Sequence, residues 1–206
     1  MTPIVVSISG FSSEAGKTTL LCDLLAERRN WEAIKVTRGH YRSCGKDPNA
    51  CCVSHLLGSE PLVLSGHDLT FKAGKDTGRY WESGAANVHW VIGADDQIES
   101  GIKTALSRVR GQGVFVEGTS FLKYIEADYS VMVARLPVGG IKSSAVAVMG
   151  RMDCIFVSDT GSTPPGAAED IWSGLAKRGC RAERIPIYFK PDQGLIDLRI
   201  SSLPEL

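Results

Sequence analysis

No apolar run in this sequence approaches the roughly 20 residues that a membrane-spanning helix needs; its apolar blocks are short, such as Ile4 to Ile8 and Val114 to Val116. Charge of one sign is also lacking. Lys plus Arg number 23 and Asp plus Glu number 23, a formal net charge of zero, so nothing draws the chain to nucleic acid at long range. Internal repeats, low-complexity tracts and Pro/Gly/Ser linkers are missing too, and the 206 residues are expected to form one domain, 1–206. Met1 leads into a strand-like run without the basic-then-apolar pattern of a signal peptide. The chain is therefore expected in the cytoplasm, where its six cysteines would be reduced thiols or metal ligands rather than disulfides.

What is present is ordinary globular composition, 43% hydrophobic and 22% charged, arranged in a regular rhythm. Runs apolar on both faces recur at Ile4 to Ser9, Ala33 to Thr37, Val88 to Ile92, Val114 to Glu117, Val131 to Ala134, Cys154 to Ser158 and Arg184 to Tyr188. Such runs suit strands buried between helix layers. Helical spacing fills the intervals Lys17 to Arg29, Asp96 to Arg110, Ile141 to Gly150 and Ala167 to Arg178. The alternation predicts a three-layer α/β fold with a mainly parallel sheet. The stretch 38–73 breaks the rhythm. It reads as an insertion after the second strand, with a short helical piece around Val53 to Leu57.

The segment Gly10-Phe-Ser-Ser-Glu-Ala-Gly16-Lys17-Thr18-Thr19 follows a strand and opens a helix, the setting in which a Walker A pattern is meaningful. Five residues separate Gly10 and Gly16, one more than the simplest pattern. The backbone N–H groups around Gly10, Ser12, Ser13, Glu14, Ala15 and Gly16 can converge on phosphate oxygens, aided by the positive end of the helix dipole. Lys17 supplies a mobile charge for the β and γ phosphates. Thr18 is placed to ligate Mg²⁺ and Thr19 to reach the α phosphate.

In an open α/β sheet, ligands sit beyond the carboxyl ends of the strands. Glu117, ending Val114-Phe-Val-Glu117, is a candidate to hold Mg²⁺ or orient an attacking water. Lys35 and Thr37 are candidates for phosphate or substrate, or simply strand-end polar residues. Asp76, at a helix start, is a second metal-side carboxylate or a helix cap. Asp159, after the strand ending at Val157, is a candidate for guanine recognition or a turn aspartate; the Asn-Lys-x-Asp guanine motif is absent. Pro137-Val-Gly-Gly-Ile-Lys-Ser-Ser144 either receives an anionic group or caps a helix. Cys44, Cys51, Cys52 and His55 form the set Cys-x6-Cys-Cys-x2-His; a Zn²⁺ site, a redox or substrate thiol and an ordinary reduced loop all remain open. Cys22, Cys154 and Cys180 fall in helix or strand patterns and are expected to be buried as small apolar groups.

Taken in order, Gly16-Lys-Thr-Thr-Leu-Leu21, Ile34-Lys-Val-Thr37, Gly74-Lys-Asp-Thr77 leading to Glu82-Ser-Gly-Ala85, and Val114-Phe-Val-Glu-Gly118 resemble the molybdopterin-guanine dinucleotide biosynthesis adaptor family, often called MobB. The longer phosphate loop is similar to that of the dethiobiotin synthetase and cobyric acid synthase relatives. The resemblance implies a P-loop NTPase fold, GTP binding with Mg²⁺, slow hydrolysis, a homodimer, and a molybdopterin nucleotidyltransferase as partner. It assigns Gly16, Lys17, Thr18 and Thr19 to the phosphates and Asp76 and Glu117 to the metal side. The loop spacing implies an alternative: an ATP-dependent ligase or kinase, with Lys35, Thr37 and the insertion lining a small-molecule site.

Overall fold

The computed structural model describes residues 2–39, 53–158, 165–190 and 193–203. An eight-stranded sheet runs through them in the order β3-β4-β2-β5-β1-β6-β7-β8. The strands are β1 (Ile4–Gly10), β2 (Trp31–Arg38), β3 (Leu62–Ser65), β4 (Val88–Gly93), β5 (Gly113–Glu117), β6 (Tyr129–Ala134), β7 (Cys154–Val157) and β8 (Ile187–Phe189). Every pairing is parallel except β3 with β4. The helices are α1 (Lys17–Ala26), α2 (His67–Thr70), α3 (Asp76–Glu82), α4 (Ile98–Arg108), α5 (Ser143–Val148), α6 (Ala167–Ala176) and α7 (Gln193–Ser201). Among the described residues, no helix is long and apolar enough to cross a membrane.

Strand alternation divides the core in two. Ile34, Val36, Val114, Val116, Met132, Ala134, Ile155 and Val157 pack with α4, α5 and α6 on one face. Their neighbours Ala33, Phe115, Val131, Val133, Cys154 and Phe156 pack with α1, Tyr80 of α3, and Ile196 and Ile200 of α7 on the other. The parity of each strand residue thus decides which face receives it. Lys35 and Glu117 share the α1 face, and Glu32 lies on the α4 face.

The interval 38–73 holds more order than its sequence suggested, because β3 and α2 lie there. β3 has only four residues, none fully buried, and it closes the sheet edge in reverse direction. Short, half-exposed edge strands give almost no periodic signal. At the opposite edge, β8 begins at Ile187 rather than Arg184, directly after Pro186, which carries no N–H for a ladder. The short helical piece expected near Val53 is a 3-10 turn at Ser54–Leu56.

At the amino edge of the sheet, Glu32 is buried and fully engaged. One oxygen accepts the backbone N–H groups of Arg110 and Gly111, both at 2.6 Å. The other lies 2.7 Å from Nε2 of buried His89, whose Nδ1 is 2.8 Å from the Ser65 hydroxyl. Burial alone would raise the Glu32 pKa, but the hydrogen bonds from His89 and the two amides outweigh it and hold it low.

Candidate functional site

Because β1, β2, β5 and β6 run parallel, their carboxyl ends and the loop leaving β1 meet at one edge. Gly10 stands in register with Val133, and the Phe11 N–H extends that pairing to Val133 O at 3.0 Å. Phe11 buries into the α4-side core and Ala15 into the α1-side core. These two anchors account for the loop's extra length: it is pinned at both ends, while Ser13 and Glu14 stay exposed. Gly16 closes the turn at φ 95° as the residue before α1. A Cβ there would lie 2.6 Å from Ser158 Oγ, so glycine is required on two counts. Ser158 in turn donates to Ala15 O at 2.6 Å. Among the described residues, none accepts a hydrogen bond from the N–H groups of residues 12–16, so these amides beside the start of α1 are unbonded.

Lys17 curls back over this loop, donating to Ser12 O at 3.0 Å and Ser13 O at 3.2 Å. Burial lowers its pKa most, with Glu117 opposing and Lys35 and Lys142 assisting. Thr18 points into the sheet edge, where its hydroxyl lies 2.8 Å from Glu117 Oε2 and 3.1 Å from Asp76 Oδ1. Lys35, in register with Glu117 across β2 and β5, bridges both carboxylates at 2.6 Å. Burial works against its charge, yet Glu117 and Asp76 prevail and its pKa is raised. For Asp76, burial pushes the pKa up, while Lys35 and the Thr18 hydroxyl pull it below the usual carboxylate value.

Three hard oxygen donors therefore converge, the Thr18 hydroxyl and the carboxylates of Asp76 and Glu117. Magnesium is commonly held by one or two carboxylates together with substrate phosphates, and this donor set fits it. The residues read from sequence as metal-side candidates come together, and Lys35 joins them. Thr37 does not. Its hydroxyl accepts the Trp90 indole N–H at 2.8 Å, and it lines a separate cleft beyond Lys35. Thr19 sits on α1, where its hydroxyl accepts from Arg79 at 3.3 Å.

Tyr80 lies outside the sequence reading, and Lys142 belongs to the stretch 137–144 read there as an anion site or a helix cap. Tyr80, wholly buried on α3, donates its hydroxyl to Glu117. Burial first, then the Glu117 charge, raises its pKa well above the ordinary value, so it stays a donor. Asp76 and Tyr80 are four residues apart on one helix, and that i,i+4 relation was the available signal. Lys142, within the glycine-bearing stretch before α5, bonds its amide to Phe11 O at 2.9 Å and its ammonium to Ser13 Oγ at 2.7 Å. With Lys17, Lys35 and Arg38 it lines a cleft of about 250 Å³ at the mouth of the loop.

Asp159, Cys44, Cys51 and Cys52 lie outside the described residues. His55 is exposed, and among the described residues no group of three His, Cys, Asp or Glu is placed to hold a metal. Cys22 and Cys154 are buried free thiols, and Cys180 is half-buried.

No protein-family model matches the sequence, and no curated protein matches it significantly. In three dimensions the chain is similar to HypB from Helicobacter pylori, a structure in complex with nickel. The TM-score is 0.51 at 12% identity, covering 97% of this chain and 88% of that one. Weaker overlaps occur with LpxK from Aquifex aeolicus in complex with ATP (TM-score 0.44, 15% identity, 93% and 72% covered). A Zn(II)-bound triple mutant of the YjiA GTPase overlaps less again (TM-score 0.38, 16% identity, 92% and 58% covered). At such identities the HypB likeness concerns the fold. With the strand–loop–helix of Gly10 to Thr19, it places the chain in the α/β P-loop NTPase fold, with a mainly parallel sheet.

Proposed function

We propose that this chain binds a nucleoside triphosphate with Mg²⁺ at the Gly10 to Thr19 loop and handles its terminal phosphoryl group. One observation carries the reading: Thr18, the second residue of α1, meets Asp76 and Glu117 beside a loop with unbonded amides, whose Gly10, Ser12 and Lys17 line one cleft. Magnesium held by Thr18, Asp76 and Glu117 would offset charge on the phosphates. The chain's own part is positioning and charge neutralisation rather than covalent catalysis. Lys17 exchanges its two loop carbonyls for phosphate oxygens, Lys35 and Lys142 add positive charge across the 250 Å³ cleft, and Tyr80 keeps Glu117 in place.

In this reading the chain works as one domain in the cytoplasm. The order of its motifs favours a slow GTPase that serves as adaptor in molybdopterin-guanine dinucleotide assembly, as a homodimer with a nucleotidyltransferase partner. A second reading, an ATP-dependent kinase or ligase for a small molecule, is favoured by the cleft beyond Lys35. Calorimetry tests the shared core. Lys17→Ala removes a charge-assisted contact worth about 1.5–3 kcal/mol, so triphosphate affinity should drop roughly 10- to 100-fold; unchanged affinity refutes the site. Steady hydrolysis without any added acceptor supports the adaptor, and turnover that appears only with a carboxylate or hydroxyl compound rules it out.

A further inference from the structure

A second cleft, about 500 Å³ in volume, opens on the far side of Lys35 from the phosphate loop. No residue of Gly10 to Thr19 lines it, and neither does Glu117; Lys35 is the wall it shares with the loop cleft. It is therefore separate from the triphosphate cradle and adjoins it through Lys35 and Asp76.

Its lining has two characters. Part of it is apolar, made by Val53, Leu69, Phe71 and Trp90. Leu69 is 61% and Phe71 40% exposed, and with Tyr124 they are the only large hydrophobics exposed among the described residues. Two of the three thus border one cleft. Phe71 is also held in place. The Phe71 ring stacks on His67 at 4.7 Å, His67 meets Trp81, and the Trp81 indole bonds Thr70 at 2.9 Å. Trp90 is fixed by its bond to Thr37, which leaves the Thr37 hydroxyl proton available.

Another part is cationic. Lys35, Lys72 and Lys75 line the cleft with a single carboxylate, Asp76. Lys35 is neutralised by Asp76 and Glu117. Lys72 and Lys75 have no carboxylate partner among the described residues, so their charge is uncommitted. Apolar surface left in water beside unpaired ammonium groups is unfavourable for the free protein and complementary to a ligand that supplies both an anion and a hydrophobic body.

We propose that this cleft binds a small amphipathic organic anion, its carboxylate-type head at Lys72, Lys75 and Thr37 and its aliphatic or aromatic body against Trp90, Phe71 and Leu69. That such a molecule is a phosphoryl acceptor rests on the function proposed above; its binding does not.

Titration of the nucleotide-free protein with octanoate, octanamide and acetate, read by tryptophan fluorescence, is the test. Octanoate should give a saturable change that Trp90→Phe largely removes, with octanamide and acetate binding at least about tenfold more weakly. The double variant Lys72→Ala/Lys75→Ala should weaken octanoate about tenfold and leave octanamide and triphosphate affinity unchanged. No saturable change with octanoate, equal binding of octanamide, or an unaffected double variant overturns the inference. Triphosphate binding without octanoate binding would sink this site alone, and octanoate binding without triphosphate binding would sink only the nucleotide reading.

Discussion

Replacing Lys35 with methionine keeps the aliphatic stem and deletes the ammonium between Asp76 and Glu117. The Asp76 side chain is 42% exposed, so its share of the ion pair is screened and contributes about 1 kcal/mol at most. Glu117 is buried, and stripping the partner from a buried charge costs about 3–5 kcal/mol. Thr18 and Tyr80 still donate to Glu117, which places the net loss near the lower end, about 3 kcal/mol. Urea denaturation measures it directly. Two further signatures separate this account from general damage. In the native protein Asp76 has a lowered pKa, so its contribution is present above about pH 4 and fades as pH falls through the folded value. In Lys35→Met the two carboxylates face each other without a cation, protonation relieves them, and the deficit should shrink on acidification. Magnesium should also stabilise the variant more than the native protein, because in the latter the ion must displace an ammonium. At a hundredfold excess over Kd the gain is about 2.7 kcal/mol. A loss under about 1 kcal/mol, or equal magnesium gains in both proteins, would refute the reasoning.

Gly16→Ala combines a left-handed backbone, about 1–2 kcal/mol, with a Cβ crowded against Ser158, so a loss of about 2–4 kcal/mol and of triphosphate binding is expected; wild-type Tm and affinity would contradict it. Tyr80→Phe deletes one buried donor to a carboxylate at nearly constant volume, and denaturation should show a loss of about 1.5–3 kcal/mol, whereas an unchanged midpoint would remove Tyr80 from the site. Burial pushes the Cys154 thiol up to about 12, so iodoacetamide at pH 8 should label it only after unfolding. Equal labelling of native and denatured protein would contradict that burial.

The phosphate loop was legible because its information is local: a strand, a glycine turn and Gly-Lys-Thr-Thr lie in consecutive residues. Glu117 was legible as a carboxylate closing a buried strand. Lys35 was ambiguous because its role depends on register with Glu117, and no property of β2 alone reveals which strand stands beside it. Tyr80 drew no notice, because its bond to Glu117 arises only when α3 packs against the sheet. Lys142 sat in a stretch with two readings, and its bonds to Phe11 and Ser13 arise between segments 129 residues apart. β3 and α7 escaped notice for a simpler reason. The first is a short half-exposed edge, and the second commits only Ile196 and Ile200 to the core.

The sheet carries one buried glutamate at each end, and their partners differ in kind. Glu32 is held by two main-chain amides and a histidine locked between strands, groups that cannot leave without unfolding the backbone around them. Glu117 is held by a buried tyrosine and by the tips of a lysine and a threonine, and the two tips, only partly buried, can rotate aside. The same residue type is thus a rivet at one edge and a socket at the other, and in the function proposed above only the socket trades occupants for a visiting cation while the scaffold stands still.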